Sequence, residues 1–276
     1  MPKQYGMVVD LQKCVGCGAC ALACKTENNT QGRARGQTFN WADFSFTEKG
    51  TFPNISHSTF PVRCNHCSDP ECIKPCPKPQ ALYKSEEGLT LYNYRYCIQC
   101  KKCQEKCPYS ALDVEKESAA YSVISFNAIG GPTHDRYRDE SEMIKGCTAS
   151  GATVAAAVGA IPPHKNEYKF KDKGKPLDPK LSRGRGELVD VRSGGWVEKC
   201  TFCVHRIRNN EVPNCVAACP AKARTAGDIN DPASEISKLL KKHKPVRLKN
   251  NKGEFLAEAE KGTQPNMYYI RSFKKS

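Results

Sequence analysis

Residues 97–107 read CIQCKKCQEKC and are followed by Pro108. Three thiols spaced C-x2-C-x2-C on one winding loop can each take a different iron of the same cube, with backbone amides turned toward its sulfurs. The fourth thiol lies beyond that cube. Where two such runs are paired, the last cysteine of each serves the other's cluster, commonly with a proline after it. Working outward, the pattern returns three times. Cys64, Cys67, Cys72 and Cys76 form a C-x2-C-x4-C-x3-C run before Pro77, and Cys14, Cys17, Cys20 and Cys24 repeat the C-x2-C-x2-C-x3-C spacing. Cys200, Cys203, Cys215 and Cys219 form a stretched C-x2-C-x11-C-x3-C run before Pro220. Lys25 stands in the proline's place after the first run, a departure that touches backbone shape rather than ligation.

Of the seventeen cysteines, only Cys147 stands outside these groups, and it is read as an incidental or buried thiol. The crossing rule predicts four 4Fe–4S clusters. Cys14, Cys17 and Cys20 take Cys219, while Cys200, Cys203 and Cys215 take Cys24. Cys64, Cys67 and Cys72 take Cys107, while Cys97, Cys100 and Cys103 take Cys76. Zinc also favours C-x2-C pairs, but it uses two pairs per tetrahedral ion, not runs of three plus one. A disulfide framework would space its cysteines more widely.

A formal net charge of +14 would ordinarily suggest nucleic acid as a partner. That count treats thiols as neutral. An oxidised cube with four thiolates carries about −2, so four would leave the loaded chain near about +6. With no nucleic-acid recognition motif present, the basic excess is assigned to compensation of buried anionic clusters and to solvated or partner-facing surface. His66 and His205 lie beside expected ligands, where they could donate hydrogen bonds or simply pack. His57, His134, His164 and His243 have no partner pattern. Nothing resembles a nucleophilic triad, a phosphate-binding glycine loop or a nucleotide fingerprint, so no catalytic residue is assigned.

The four groups form an interrupted internal repeat, as paired ferredoxin modules do. The fold expected is α+β: two fused bacterial-type di-cluster ferredoxin modules with short strands, short helices and a long irregular insertion. Residues 1–50 with 197–230 would carry groups one and four, and 51–128 groups two and three. Residues 129–196 would be the insertion, and 231–276 a C-terminal helix and strand. Ala81–Asn93 alternates apolar and polar residues around Glu87-Gly88 and predicts a β-hairpin. Short strands are expected at Gly6–Val9, Ser122–Asn127 and Met267–Phe273. A helix is expected with Asp231 as its cap, Pro232 in its first turn, an apolar stripe of Ile236, Leu239 and Leu240, and Lys241–His243 at its C-terminal dipole. The most apolar stretch, Gly151–Ile161, is half the length of a membrane helix and is ended by Pro162 and Pro163. Met1–Asp10 holds no signal-peptide core, so the chain is not expected to direct its own export by the usual route.

GMVVDLQKCVGCGACALACKTENN at the start, CNHC and CPYSAL in the middle, and EKCTFCVHR and MYYIRSF near the end resemble the four-cluster subunits that accompany molybdopterin oxidoreductases of the dimethyl sulfoxide reductase family. Within that group the likeness is greatest to small subunits of respiratory arsenate reductases. The resemblance covers about two thirds of the chain. It implies a non-catalytic subunit of a heterodimer serving anaerobic respiration, with electrons relayed between a quinol oxidase or cytochrome and a molybdopterin-containing catalytic subunit. Arsenite oxidation and polysulfide, thiosulfate or tetrathionate reduction are the alternatives, and a free-standing polyferredoxin is a further one. The resemblance also implies that the cluster of Cys14, Cys17 and Cys20 is nearest the catalytic partner and the pair from groups two and three farthest. Some relatives of this kind lack one group-three cysteine and hold three irons, whereas Cys100 implies four. Export in the folded state to the periplasm, on the twin-arginine signal of the large subunit, is the corresponding expectation.

Overall fold

The computed structural model describes residues 2–28, 30, 36–38, 40–93, 96–126, 197–256 and 262–271. Cys147, His134, His164 and the expected insertion at 129–196 lie outside the described residues.

The run GMVVD forms β1 (Tyr5–Asp10), the middle strand of a three-stranded sheet. Parallel β11 (Met267–Ile270) flanks it on one side and antiparallel β8 (Arg224–Asp228) on the other, with Val8 opposite both Tyr268 and Thr225. Side chains alternate across a strand, so β1 faces two ways. Met7 and Val9 join Met267 and Tyr269 in the main core, whereas Val8, Tyr268 and Ile270 meet Ile236 on the opposite face. Helix α5 (Glu235–Lys242) supplies Ile236, with Leu239 and Leu240 at the margin. Its cap differs from the expected one. Asp231 Oδ1 accepts from Ala233 N in a local turn, and Ser234 Oγ accepts from Ser237 N, so Ser234 is the N-cap and Pro232 lies before the helix. The physical reason is that an aspartate can satisfy a turn as readily as a helix end.

This sheet brings distant cysteines together. β1 leads into group one and β8 leaves group four, so pairing the two strands sets these groups side by side. Helix α1 (Ala19–Asn28), carrying Cys20 and Cys24, packs on α4 (Asn214–Ala217), carrying Cys215. Groups two and three are joined by the expected hairpin of β4 (Leu82–Lys84) and β5 (Thr90–Tyr92). Gly88 turns it at φ 71°, where an added Cβ would stand 2.7 Å from Gln4 Oε1. Short helices α2 (Lys102–Lys106) and α3 (Val204–Arg208) continue groups three and four. After group three, β6 (Ile124–Phe126) pairs antiparallel with β7 (Val197–Lys199), which leads into group four. A small ladder of β9 (Arg247–Leu248) and β10 (Phe255–Leu256) completes the elements.

One element has no counterpart in the sequence reading. β2 (Ala42–Thr51) and β3 (Asn54–Arg63) form a long antiparallel arm. Its base is buried at Ala42, Val62 and Arg63, but its outer half is exposed on both faces, including Phe46, Phe52 and Ile55. The arm runs across residue 50, the division assumed between modules. A single continuous core, containing Val9, Trp41, Val62, Leu91, Tyr121, Phe202 and Tyr269, passes beneath all four cysteine groups.

Candidate cluster-binding site

One backbone turn recurs in all four loops. The residue before the second cysteine is left-handed each time: Gly16 (φ 68°), His66 (φ 43°), Gln99 (φ 63°) and Phe202 (φ 61°). For the three that are not glycine this conformation costs about 1 kcal/mol, and it persists only where surroundings over-determine it. At Gly16 space is a second demand, since a Cβ would come within 2.9 Å of Thr59 on the arm. These turns fold each C-x2-C segment back on itself.

All sixteen described cysteines are free thiols. A surface cavity is lined by Cys76, Cys97, Cys100 and Cys103, with Lys78, Ile98 and Lys101 at its margin. Burial pushes the Cys107 thiol up to about 12, and the thiolates of Cys64 and Cys67 oppose its ionisation further. Cys20 is raised by burial, against the pull of Arg224, with Cys215, Cys14 and Cys219 adding repulsion. Cys24 is raised by burial and then by Cys200 and Cys215. Cys203 is raised by burial and then by Cys215, Cys24 and Cys200. Further proximities join one group to the next: Cys20 with Cys215, Cys200 with Cys64, and Cys103 with Cys72. The interior of this series is buried. Cys17 and Cys100 are exposed.

Buried thiolates that repel one another need positive partners or metal. Arg63 Nη1 donates to Cys215 Sγ at 3.1 Å, and Asn28 Nδ2 to Cys24 Sγ at 3.4 Å. Backbone amides of Phe202 and Ala223 donate to Cys200 Sγ and Cys219 Sγ, both at 3.3 Å. Burial works against the Arg63 charge, but Cys200, Cys215, Cys203 and Cys24 outweigh it. Arg63 Nε and Nη2 and Arg224 Nη2 are buried without a hydrogen-bond partner, positions that suit the diffuse charge of an anionic cluster. Among the described residues, no three Cys, His, Asp or Glu side chains converge closely enough to hold one metal ion. A 4Fe–4S cube takes one thiolate per iron. Sixteen free thiols on four loops of like turn, with Arg63 and backbone amides donating to their sulfurs, fit 4Fe–4S groups.

The histidines serve other partners. His205 Nε2 lies 2.6 Å from Glu27 Oε1, and Arg206 donates to both oxygens of the same carboxylate, so Glu27 clamps α1 to α3. Burial alone would raise the Glu27 pKa, but these bonds hold it below the ordinary value. His66 packs edge-on against Phe202 with centroids 5.2 Å apart, and burial, then Lys199 and Arg63, hold its pKa well below the usual range. The buried cations Arg63, Lys199 and Arg224 do not stand out in the sequence as site residues. A usable signal is nonetheless there: Arg63 and Lys199 each directly precede the first cysteine of a group.

A 4Fe–4S dicluster domain pattern matches residues 55–127 and 188–229, and a 4Fe–4S binding domain pattern matches residues 5–26. The iron–sulfur subunit of arsenate respiratory reductase from Shewanella sp. (strain ANA-3) is 41% identical over 98% of this chain and 97% of its own length. The chain belongs to this family of iron–sulfur subunits. A selenate reductase subunit of Mesobacillus selenatarsenatis is 30% identical over 97% of this chain and 72% of its own length. A tetrathionate reductase subunit of Salmonella typhimurium is 25% identical over 97% of this chain and 72% of its own length. As an iron–sulfur subunit, the protein carries multiple 4Fe–4S clusters and transfers electrons. Among its described residues, no helix is long and apolar enough to cross a membrane.

Proposed function

We propose that this iron–sulfur subunit relays electrons through four 4Fe–4S clusters to a molybdopterin-containing catalytic subunit that reduces arsenate in respiration. The observation that carries this reading is the 41% identity, over nearly the whole of both chains, to an arsenate respiratory reductase iron–sulfur subunit. Each cube, when bound, accepts and releases one electron at a time. The chain's own residues hold and order the cubes. The ligand sets are Cys14, Cys17, Cys20 and Cys219; Cys200, Cys203, Cys215 and Cys24; Cys64, Cys67, Cys72 and Cys107; and Cys97, Cys100, Cys103 and Cys76. The proximities of Cys20 to Cys215, Cys200 to Cys64 and Cys72 to Cys103 support a relay in that order. Arg63, Arg224 and Lys199 neutralise its buried middle, and the continuous apolar core excludes water from it.

The far partner is a quinol oxidase or a cytochrome, and the assembled pair works in the periplasm after folded export. Fractionation of cells that express both subunits tests the location. Affinity purification of this chain from its native source tests the main reading. A molybdopterin protein of fixed stoichiometry, about sixteen irons on this chain and arsenate reduction only by the pair are expected. Arsenate reduction by this chain alone would overturn it. The selenate and tetrathionate relatives favour a second reading, reduction of another oxyanion, which the copurified catalytic subunit's substrate profile would decide.

A further inference from the structure

The cavity around Cys76, Cys97, Cys100 and Cys103 opens to solvent beside two lysines, Lys78 and Lys101, both exposed. Two more, Lys102 and Lys106, lie one helical turn apart on α2 and are also exposed. Glu105 is the one acidic residue among them. Among the described residues, none of the four lysines is ion-paired, in contrast to nearby Lys74, which is held by Asp69 and Glu71. Ile98, 53% exposed, and Cys100 line the same cavity as Lys78 and Lys101, and α2 with Lys102 and Lys106 starts two residues after Cys100.

Such lysines could be no more than counter-charge for the bound cluster. The buried cations argue otherwise. Within the core, Arg63 already donates to Cys215 Sγ, and the buried Lys199 Nζ already donates to the Cys200 carbonyl. The rim lysines stand instead in water, where a neighbouring cluster's field is screened. Exposed like charge around an opening focuses the field outward and accelerates encounter with an oppositely charged protein by tenfold to about a thousandfold. Small, weakly buried contacts of this kind suit partners that bind, transfer an electron and leave.

We propose that the lysine rim around Cys100 is a transient docking surface for an acidic one-electron carrier protein, which delivers electrons to this end of the chain. The proposal rests on the electron-transfer reading above. In each encounter one electron leaves the reduced carrier and one cluster is reduced by one electron, with no bond made or broken on this chain.

The test uses the intact complex of this chain with its catalytic subunit, and reduced flavodoxin, an acidic flavoprotein, as the probe. The second-order rate constant for cluster reduction, and the affinity for oxidised flavodoxin, are measured at low and high salt. Lys78→Glu/Lys102→Glu/Lys106→Glu should slow reduction at least tenfold at low salt and weaken binding in parallel, and high salt should erase the difference. Lys241→Glu/Lys242→Glu on α5 changes charge remotely and should leave both unchanged. Iron content and reduction by a small neutral dye establish that the clusters are present. If the charge-reversed protein loses iron, the matching lysine-to-glutamine set is used, with a smaller loss expected in the same direction. Equal rates for wild type and rim variants, or an equal loss in the α5 control, would overturn the proposal. So would faster reduction by a carrier of basic surface. A failure of the underlying reading is distinguishable, because then dye-reduced clusters would not drive the catalytic subunit at all.

Discussion

Cys17 and Cys100 are both exposed, yet their surroundings differ. Around Cys17 the surface is apolar: Val15 is 74% exposed and Leu22 62%, and the Gly16 turn sits against Thr59 of the β2–β3 arm, whose outer half presents Phe46, Phe52 and Ile55. Around Cys100 lysine predominates, with one exposed apolar side chain, Ile98. Apolar patches of that kind are characteristic of lasting interfaces, whereas charged rims suit brief encounters. On the relay proposed above, the apolar end would meet the lasting catalytic partner and the lysine end the passing carrier. The difference lies in the surfaces of the two ends, not in their cysteine spacing.

The largest expected effect comes from opening the relay at either end. Cys17→Ser and Cys100→Ser should each remove one cluster signal in reductive EPR titration and lower donor-driven turnover by more than tenfold. A dye that reaches the catalytic subunit directly should be much less affected. Cys219→Ser should remove the same signal as Cys17→Ser. Loss of the Cys200, Cys203 and Cys215 signal instead would break the crossed ligation.

Val15→Asp/Leu22→Asp tests the apolar end by itself. Placing charge in a desolvated interface costs several kcal/mol, so copurification of the catalytic subunit should fall by a hundredfold or more while all clusters remain. Retained assembly would show that the lasting partner sits elsewhere. Between the two ends, Arg63→Gln removes a buried positive charge beside Cys215. The oxidised, less negative state should gain relative to the reduced one, and the potential of that cluster should fall by on the order of 100 mV. Potentiometric EPR would read it, and an upward shift would contradict the assigned role.

The smallest effect concerns the ties that keep both ends on one body. Arg208 Nε donates to Glu87 Oε1 at 2.7 Å, fastening group four to the β4–β5 hairpin. Burial works to raise the Glu87 pKa, but the bonds from Arg208 and Ser85 outweigh it and hold it below the ordinary carboxylate value. A depressed carboxylate contributes stability that is present above its unfolded pKa and is lost as pH falls through its folded value. Glu87→Gln should therefore cost about 1 kcal/mol near neutrality, since Arg208 is partly solvated. It should also flatten the loss of stability as pH falls through the carboxylate range. Denaturant titrations at several pH values would show it.

The cysteine runs were legible because ligand spacing is a local property of a short loop, and β1, the β4–β5 hairpin, β6 and β11 followed from β-branched or aromatic alternation. The arm escaped because its outer half, around TEKGT, buries neither face and so carries no period. Arg63 and Lys199 escaped for a related reason. In sequence they read as surface charge; thiols gathered from far along the chain favour the buried Arg63 charge, and the carbonyls of Thr90 and Cys200 accept from Lys199 Nζ. The cap of α5 lies three residues beyond the expected one, because Asp231 and Ser234 both carry capping chemistry and the competition between them is settled by the turn.

In the β6–β7 ladder, Phe126 and Val197 are cross-strand neighbours, so whatever connects them begins and ends at one point on the body. The ladder therefore acts as a clasp: group three, which precedes β6, and group four, which follows β7, are held in register by backbone hydrogen bonds between residues about seventy positions apart.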